Sequence, residues 1–297
     1  MPTMFGSALL EVIIGLAFIY TLLSLVSSAC NEVMAEATGL RGVIFVKAIA
    51  RLLPTKPQQE RFFKHVLIQA LSREDDDKVV PSYVPRHTFA LVVLDMAARG
   101  VDEPAPEQPL SAGELRQRVA ASTDKLLRES LLPLIDAADN DIDVIRENVA
   151  RWFDDTMDRA SGWYKRRCAN ALRIISTVVV ITVNADTLAI AKHFWNDPNA
   201  RAAVSMQTQE FIKAENEREE GSTGQWVGEV AKIEKLELPI GWSEEAMPTS
   251  ALDWLSKLAG LLISMLAVSQ GAPFWFELLN KIVSMRAAGK VPENKKK

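Results

Sequence analysis

Hydrophobic side chains recur at three- and four-residue steps between residues 142 and 163, and charged side chains fill most of the positions between them. That spacing is typical of a surface helix with one buried stripe. From Cys168 to about residue 190 the chain is mostly apolar and contains no proline or glycine. A membrane-crossing helix needs about 20 residues, because it rises about 1.5 Å per residue through a core about 30 Å thick. We therefore predict one continuous helix that begins in water and ends inside a membrane.

Two more apolar stretches predict further crossings, over residues 8–30 and 258–284. The first lacks the preceding basic residue and the short apolar core of a cleaved signal peptide, so we predict an uncleaved anchor. In the last stretch Pro273 follows Gly271 closely, and proline removes a backbone donor while its ring clashes with the preceding turn. This predicts a kinked crossing. Gly271 and Pro273 form either an ordinary kink or the hinge of a gate.

Basic residues flank the predicted crossings on one side. From residue 41 to residue 64 there are six lysines and arginines, and Glu60 is the only acid. A basic triplet at 165–167 precedes the second crossing, and the tail beyond the third crossing is basic again. Residues 193–256 are acidic by contrast. Since lysine and arginine beside a crossing mark the cytoplasmic side, we predict an amino terminus outside and a carboxyl terminus in the cytoplasm.

These patterns predict an all-α membrane protein with three transmembrane helices, divided into five parts. The parts are 1–40, the first transmembrane helix; 41–167, a helical cytoplasmic domain; 168–192, the second transmembrane helix; 193–256, a small acidic extracytoplasmic segment; and 257–297, the third, Pro-kinked helix with a basic cytoplasmic tail. Helical patterns within the domain cover 42–53, 57–72, 86–99 and 111–135, and a polar helix is predicted over 199–219. Little of the chain alternates as strands do.

Polar side chains within the apolar stretches are candidates for function, because ionisable groups inside a membrane are costly and often functional. They are Glu32, Arg173, Asn184, Asp186 and Thr187. The predicted topology brings Glu32 and Arg173 to the same depth, so we expect them to form an ion pair. Asn184 and Thr187 project from the same helix side as Arg173. Asp186 has two interpretations: an ion or proton site with Asn184 and Thr187, or the N-cap of a short surface helix.

No catalytic, metal-binding or cofactor-binding signature is found in the sequence. The HExxH, CxxC, GxSxG and P-loop spacings are absent, and only three histidines occur. The cysteines, Cys30 and Cys168, imply no disulfide framework. The domain also lacks the basic, aromatic-interleaved surface that nucleic-acid binding requires. We therefore predict a protein that is not an enzyme, holds no metal or cofactor and binds no nucleic acid.

Five distinctive strings cover much of the chain: LEVIIGLAFIYTLLSLVSSACNEV, PSYVPRHTFAL, WFDDTMDRASGWYKRR, NADTLAIA and GAPFWFELLNKIV. In these strings the chain resembles a family of uncharacterised bacterial multi-pass membrane proteins. The resemblance implies a location in the cytoplasmic (inner) membrane of a bacterium. That family has no established activity, so the resemblance implies no catalytic residue, cofactor or substrate.

Two classes of function are compatible with these predictions. The first is a non-enzymatic, membrane-anchored scaffold or assembly component, whose cytoplasmic domain recruits a protein partner and whose crossings form a homo-oligomer in the lipid bilayer. Polar and small residues at helical spacing, such as Thr21 and Ser24 or Gly260 and Ser264, are typical of such helix contacts. The second is a pore or transport component, which needs several copies because three crossings are too few for a monomeric transporter. Its ion path would contain Arg173, Asn184 and Asp186.

Overall fold

A computed structural model describes residues 3–71, 81, 83–99, 110–217, 239–242 and 247–288, with side chains from residue 8 to residue 285 of these ranges. Within them the chain is helical and contains no strand, which confirms the predicted all-α class. The helices are α1 (Thr3–Ala37), α2 (Leu40–Leu52), α3 (Lys56–Lys64), α4 (Val66–Gln69), α5 (Arg86–Ala98), α6 (Ala112–Ala121), α7 (Lys125–Asp136), α8 (Ile142–Val183), α9 (Thr187–Asn196), α10 (Pro198–Asn216), α11 (Ala251–Val268) and α12 (Ala272–Ala288).

The helices divide into two compact units. The helical unit is Ala35–Arg167, and the bundle unit combines Met1–Met34 with Cys168–Lys297. Helices α1 and α8 each contribute residues to both units, because the boundaries fall inside them. The amphipathic stretch and the apolar stretch that begins at Cys168 therefore belong to one helix but to different units.

A cluster of aromatic rings forms the centre of the helical unit. Phe89 of α5 stacks on Phe153 of α8 with ring centroids 4.4 Å apart, and the ring of Phe62 in α3 lies 5.5 Å from that of Phe89. Phe62 and Phe89 are fully buried, as are Leu131 of α7 and Ile145 of α8. Each buried ring removes about 150–250 Å² from water, so these contacts contribute much of the stability of the unit.

Two helices predicted as continuous are divided in the structure. The pattern over 57–72 forms α3 and α4, separated at His65, whose Nδ1 accepts a hydrogen bond from the backbone of Leu67 (3.2 Å). The pattern over 111–135 forms α6 and α7, where Asp124 accepts from the backbone of Leu127 (3.1 Å). Side chains that bond the backbone locally start a new helix without changing the hydrophobic spacing, so the periodicity did not reveal either break.

Helix α1 lies at the centre of the bundle unit, and its residues 17–24 are all buried. Phe18 packs edge to face against Phe211 of α10, with ring centroids 5.7 Å apart. The ring of Tyr20 lies 4.7 Å from that of Trp275 in α12. An apolar helix that is buried on every side is a core element of its bundle. The other helices of this unit therefore surround the first predicted crossing.

Helix α10 runs parallel to α1. Two pairs follow the same order along both helices: Glu11 forms an ion pair of 3.5 Å with Arg201, and the ring of Phe18 packs on that of Phe211. Further along, Glu32 and Glu215 line the same cavity. The sequence predicted this polar helix with nearly the same bounds. Its position beside the first apolar helix was not predicted.

The apolar part of α8 ends at Val183, and the predicted continuous helix to residue 190 is wrong. Asn184 has a left-handed φ of 51°, and α9 continues after a bend of 52°. The loop at Gly241 and Trp242 bonds the free end of α8: the backbone N–H of Gly241 donates to the carbonyl of Val183 (2.7 Å), and Trp242 Nε1 donates to that of Ile181 (2.8 Å). These bonds satisfy carbonyl groups that a continuous helix would have used.

The third apolar stretch forms two helices, α11 and α12. Helix α11 starts after the capping box of Ser250 and Asp253 and ends at Val268, and Gly271 with φ of 87° separates it from α12. Pro273 stands in the first turn of α12, where its missing donor is not needed. Two helices, separated at Gly271, thus stand where the sequence predicted one helix kinked at Gly271 and Pro273.

Among the residues that the structure describes, two helical segments are long and apolar enough to cross a membrane: Ala8–Ala37 of α1 and Ala251–Val268, which is α11. A third exists if α8 and α9 together form one broken span. The α1 segment is mostly buried in the bundle, whereas α11 is mostly exposed. Its exposed side is apolar: Leu252, Leu255, Leu258, Leu262, Ile263 and Leu266. Such a continuous apolar surface is rare on soluble monomers and is compatible with contact with lipid.

Candidate functional site

Asp186 lies in the break between α8 and α9 and is only 8% exposed. Its Oδ1 accepts hydrogen bonds from the backbone N–H groups of Leu188 (2.9 Å) and Ala189 (3.3 Å). These are the bonds of an N-cap, the second of the two interpretations of this residue. The cap engages Oδ1, one of the two carboxylate oxygens.

Gly260 of α11 is in close contact with this cap. A Cβ atom at Gly260 would overlap Oδ1 of Asp186, and it would lie 2.7 Å from the Cγ atom of Asp186 and 3.2 Å from the backbone nitrogen of Leu188. Small residues allow helix backbones in a membrane to approach closely. At this position only glycine is compatible with the observed separation of α9 and α11.

Asn184 and Thr187 are buried and bond neighbouring segments. Asn184 Nδ2 donates to the carbonyl of Gly241 (2.6 Å). The Oγ1 of Thr187 is hydrogen-bonded to the hydroxyl of Tyr20 (2.8 Å) and to the Oγ of Ser264 (2.6 Å). This chain of three hydroxyls joins α1, α9 and α11. It is a helix-packing arrangement of the kind that polar residues form in membranes.

The expected ion pair between Glu32 and Arg173 is absent from the described residues. Arg173 is exposed and its Nη1 donates to Oδ1 of Asn170 (2.8 Å). No residue of α8 between 168 and 175 is buried; the first buried residues are Ser176 and Val180. The Arg173 side chain therefore lies beyond the packed part of α8, which explains why it does not reach Glu32.

Glu32 instead lines a cavity of about 370 Å³ in the bundle unit. Glu215 of α10 lines the same cavity, and most of the other lining residues are apolar. The lining includes Leu25, Ala29, Phe211, Pro273 and Phe276. The sequence had singled out Glu32 but not Glu215, because the two residues come together only through the packing of α10 along α1.

Helix α10 presents its other side to the surroundings, and between residues 202 and 214 that side carries three polar residues among alanine and methionine. Val204, Thr208 and Phe211 are buried against the bundle. The exposed residues are Ala202, Ala203, Met206, Gln209, Glu210, Lys213 and Ala214. Among the residues that the structure describes, neither Glu210 nor Lys213 has an ion-pair partner. The spacing of the few apolar residues in this helix was the only signal in the sequence for the buried side.

The helical unit contains a larger cavity, of about 510 Å³. Three cationic residues line it, Arg41, Arg86 and Lys165, together with one acid, Asp154. Arg86 is paired within the unit: its Nη1 lies 3.1 Å from Asp154 and its Nη2 3.3 Å from Glu147. These carboxylates raise the pKa of the Arg86 guanidinium, chiefly through the hydrogen bond with Asp154. The charge of Arg86 is therefore compensated by two acids of the same unit.

The other two cations of this cavity have different surroundings. Arg41 Nε donates to the hydroxyl of Tyr164 (3.3 Å), and the guanidinium carbon lies 5.6 Å from the centre of the Tyr164 ring. Lys165 is exposed and has no ion-pair partner among the described residues. The remaining wall is mostly apolar or aromatic, and includes Ile44, Phe45, Tyr83, Phe153 and Met157.

Within the described ranges, no group of three histidine, cysteine, aspartate or glutamate side chains is arranged to hold a metal ion. The acidic run at 74–78 and the glycine-containing segment at 221–228 lie outside those ranges. Four of the polar residues that the sequence singled out form side-chain hydrogen bonds in the structure: Arg173, Asn184, Asp186 and Thr187. The sequence did not predict either cavity, because each is formed by segments far apart in the chain.

No protein-family model, curated protein or solved structure matches this chain. The resemblance to a family of bacterial membrane proteins therefore stays a prediction, and the function has to be inferred from the geometry described above.

Proposed function

We propose that this chain is an integral membrane protein of the bacterial inner membrane, without enzymatic activity, that self-associates and serves as a scaffold or assembly component. The amino terminus lies outside, and the helical unit and the carboxyl terminus lie in the cytoplasm. The basic residues around the apolar segments support this orientation. The exposed leucines of α11 support contact with lipid.

The observation that carries self-association is the position of α10. This helix pairs with α1 at Glu11 and Phe18 and lines a cavity together with Glu32, and these residues of α1 belong to the segment that is apolar enough to cross a membrane. A helix packed along a crossing lies at the depth of that crossing. Gln209, Glu210 and Lys213 on its outer side are therefore at membrane depth. This differs from the sequence-based prediction, which put all of residues 193–256 outside the membrane.

A polar side chain that faces lipid at that depth costs free energy. A central aspartate, lysine or arginine costs about 2.5–3.5 kcal/mol by insertion scales, and such residues almost always face protein or water. The outer side of α10 carries one acid and one base at helical spacing, Glu210 and Lys213. A two-fold axis along the membrane normal would bring Glu210 of each copy near Lys213 of the other, because such a contact is reciprocal. The small residues Ala202 and Ala203 allow two α10 helices to approach closely.

The polar groups of the bundle favour the scaffold over the pore. Asn184 and Thr187 bond neighbouring segments, Asp186 caps α9, and Arg173 is bonded to Asn170. An ion path needs groups that can exchange their partners with passing ions. The helical unit also exposes apolar residues suited to a cytoplasmic protein partner: Val66, Leu67 and Leu71, around the short helix α4.

Disulfide cross-linking in membranes tests the proposed self-association. Cys30 and Cys168 are first replaced by serine, and one cysteine is introduced as Met206→Cys on the outer side of α10. We expect a mild oxidant to convert this variant into covalent dimers, because the two-fold contact brings the two sulfur atoms together. Leu262→Cys, at a similarly exposed position on the apolar side of α11, should stay monomeric.

The α10 contact would be contradicted if Met206→Cys gave only monomers. It would also be contradicted if both variants gave dimers in equal yield. Extraction of the same membranes with alkaline carbonate tests the membrane location separately. A protein released without detergent would show that the chain is not integral to the membrane, whatever the cross-linking result.

A further inference from the structure

The cavity of about 370 Å³ in the bundle unit has the size of a site for a small organic molecule. Binding pockets of that kind are typically about 300–1,000 Å³ and mostly apolar, with a few polar groups that fix the orientation of the ligand. One side of α1 forms a wall of the cavity through residues at three- and four-residue steps: Thr21, Leu25, Ser28, Ala29 and Glu32. The last turns of α10 and the first turns of α12 complete the lining.

The charged side chains of this lining are both acids. Glu32 and Glu215 line the cavity, and no lysine, arginine or histidine does so among the described residues. Glu215 is engaged in another interaction, whereas Glu32 forms no hydrogen bond or ion pair with any residue that the structure describes. The partial charges of the two helix ends at the cavity have opposite signs, negative at the end of α10 and positive at the start of α12. Glu32 therefore sets the charge of a ligand, and it favours a cation.

The lining does not suit a metal ion. Calcium and magnesium take about six to eight oxygen ligands. The side chains of this cavity supply two carboxylates and two hydroxyls, and the hydroxyl of Thr21 already donates to the carbonyl of Ala17 (2.7 Å). A hydrated ion would also leave the apolar part of the wall without a partner. An organic cation satisfies both the carboxylate and the apolar wall.

The rest of the wall indicates what the cationic group is attached to. The rings of Phe211 and Phe276 line the cavity and pack edge to face, with centroids 6.2 Å apart. Aromatic faces attract ammonium groups, and their apolar area also covers hydrocarbon. Ser28 lies one turn before Glu32 on the same wall, and its hydroxyl can accept a second hydrogen bond from an ammonium group.

We propose that this cavity binds an organic ammonium ion with an apolar body, with its nitrogen at Glu32 and Ser28 and its body against Leu25, Phe211 and Phe276. The site goes beyond the scaffold role and does not depend on it. Since α1, α10 and α12 all contribute to the lining, a bound ligand would stabilise the packing of these three helices by mass action.

Three compounds that differ only in their head group test the charge of the ligand: phenylbutylamine, phenylbutanol and phenylbutyrate. At neutral pH they are a cation, a neutral molecule and an anion. Their dissociation constants for the purified full-length chain are measured by isothermal titration calorimetry in an uncharged detergent, after subtraction of their uptake by empty micelles. We expect the amine to bind most tightly and the anion most weakly. Equal affinities for the amine and the alcohol, or tighter binding of the anion, would overturn the proposal.

Glu32→Gln removes the proposed partner of the ammonium group at an exposed position, where the fold does not depend on it. We expect the affinity for phenylbutylamine to fall about fivefold, since an ion pair in contact with water gains less than a buried pair. The affinity for phenylbutanol should stay the same. Glu36→Gln is the matched control, because it removes the same charge from the same helix one turn later, at an exposed position that does not line the cavity. Equal losses in both variants, or no loss in Glu32→Gln, would overturn the site.

Ala29→Leu tests the cavity separately from the charge. The longer side chain would occupy part of the cavity, so we expect weaker binding of both the amine and the alcohol, with thermal unfolding as the check that the bundle still forms. Unchanged affinities would show that the ligand does not bind in this cavity. If Ala29→Leu does not fold, Phe276→Leu removes a half-buried ring from the same wall and should weaken binding of the amine. Unchanged binding in that variant would count equally against the site.

Discussion

Replacement of Gly260 by alanine is expected to destabilise the bundle unit by about 1–3 kcal/mol, the usual range for an overpacked contact. The added methyl group would overlap Oδ1 of Asp186, which is fixed as the cap of α9 by two backbone bonds. Either the cap breaks or α9 and α11 separate, and both outcomes disturb the hydroxyl chain at Thr187. Thermal unfolding in detergent, followed by circular dichroism, measures the loss.

A double-variant cycle shows whether the effect has this cause. Asp186→Ala alone should cost about 1 kcal/mol through the lost cap. In the Asp186→Ala background the methyl group at position 260 no longer meets the carboxylate, so the second substitution should cost much less than it does alone. Strictly additive losses would show that the clash with Asp186 is not the cause. Gly162→Ala is the matched control, because a Cβ there would meet nothing closer than 3.6 Å.

Replacement of Phe89 by alanine should destabilise the helical unit by about 3–5 kcal/mol, the range found when large buried aromatic residues are truncated. Phe89 is fully buried and contacts the rings of Phe62, Trp152 and Phe153, so its loss leaves a cavity between three helices. Limited proteolysis of membranes containing the variant measures the loss, as faster cleavage within residues 35–167. The free energy itself follows from denaturant unfolding of the purified chain.

Leu91→Ala is the control for Phe89→Ala, since this leucine belongs to the same helix and is 45% exposed. Its effect should stay within about 0.5 kcal/mol, as is usual for surface positions. Similar losses from both variants would contradict the assignment of the core. Membrane fractionation should be unchanged in both, because the apolar segments belong to the other unit.

Most helices could be predicted from the sequence, because hydrophobic periodicity and caps are local properties. The patterns over 42–53 and 86–99 correspond closely to α2 and α5. The predicted helix over 199–219 corresponds to α10, Pro198–Asn216. The break at His65 was harder to predict, because the apolar spacing continues on both sides of it. The breaks at Asn184 and Gly271 had local signals, the capping aspartate at 186 and Pro273.

The site was less predictable than the helices. Topology alone suggested that Glu32 would meet Arg173, but the contact between two helices depends on which faces pack and where the packing ends. Asp186 had a cap interpretation in the sequence because aspartate bonds free backbone N–H groups readily. The sequences of the two helices did not predict that α10 packs beside α1. The buried side of α10 has few large apolar residues, and these residues do not specify which helix they pack against.

The central position of α1 has a consequence for biosynthesis. Tyr20 meets Thr187, which is 167 residues later in the chain, and Ser24 meets Val268, 244 residues later. At a translation rate of about 5–20 residues per second, α1 leaves the ribosome roughly 8–50 seconds before these partners exist. During that interval the nascent α1 has only lipid or the insertion machinery to cover the side chains of residues 17–24. Synthesis that stops before α9 would therefore leave the packing surface of α1 without its partners from α9 and α11.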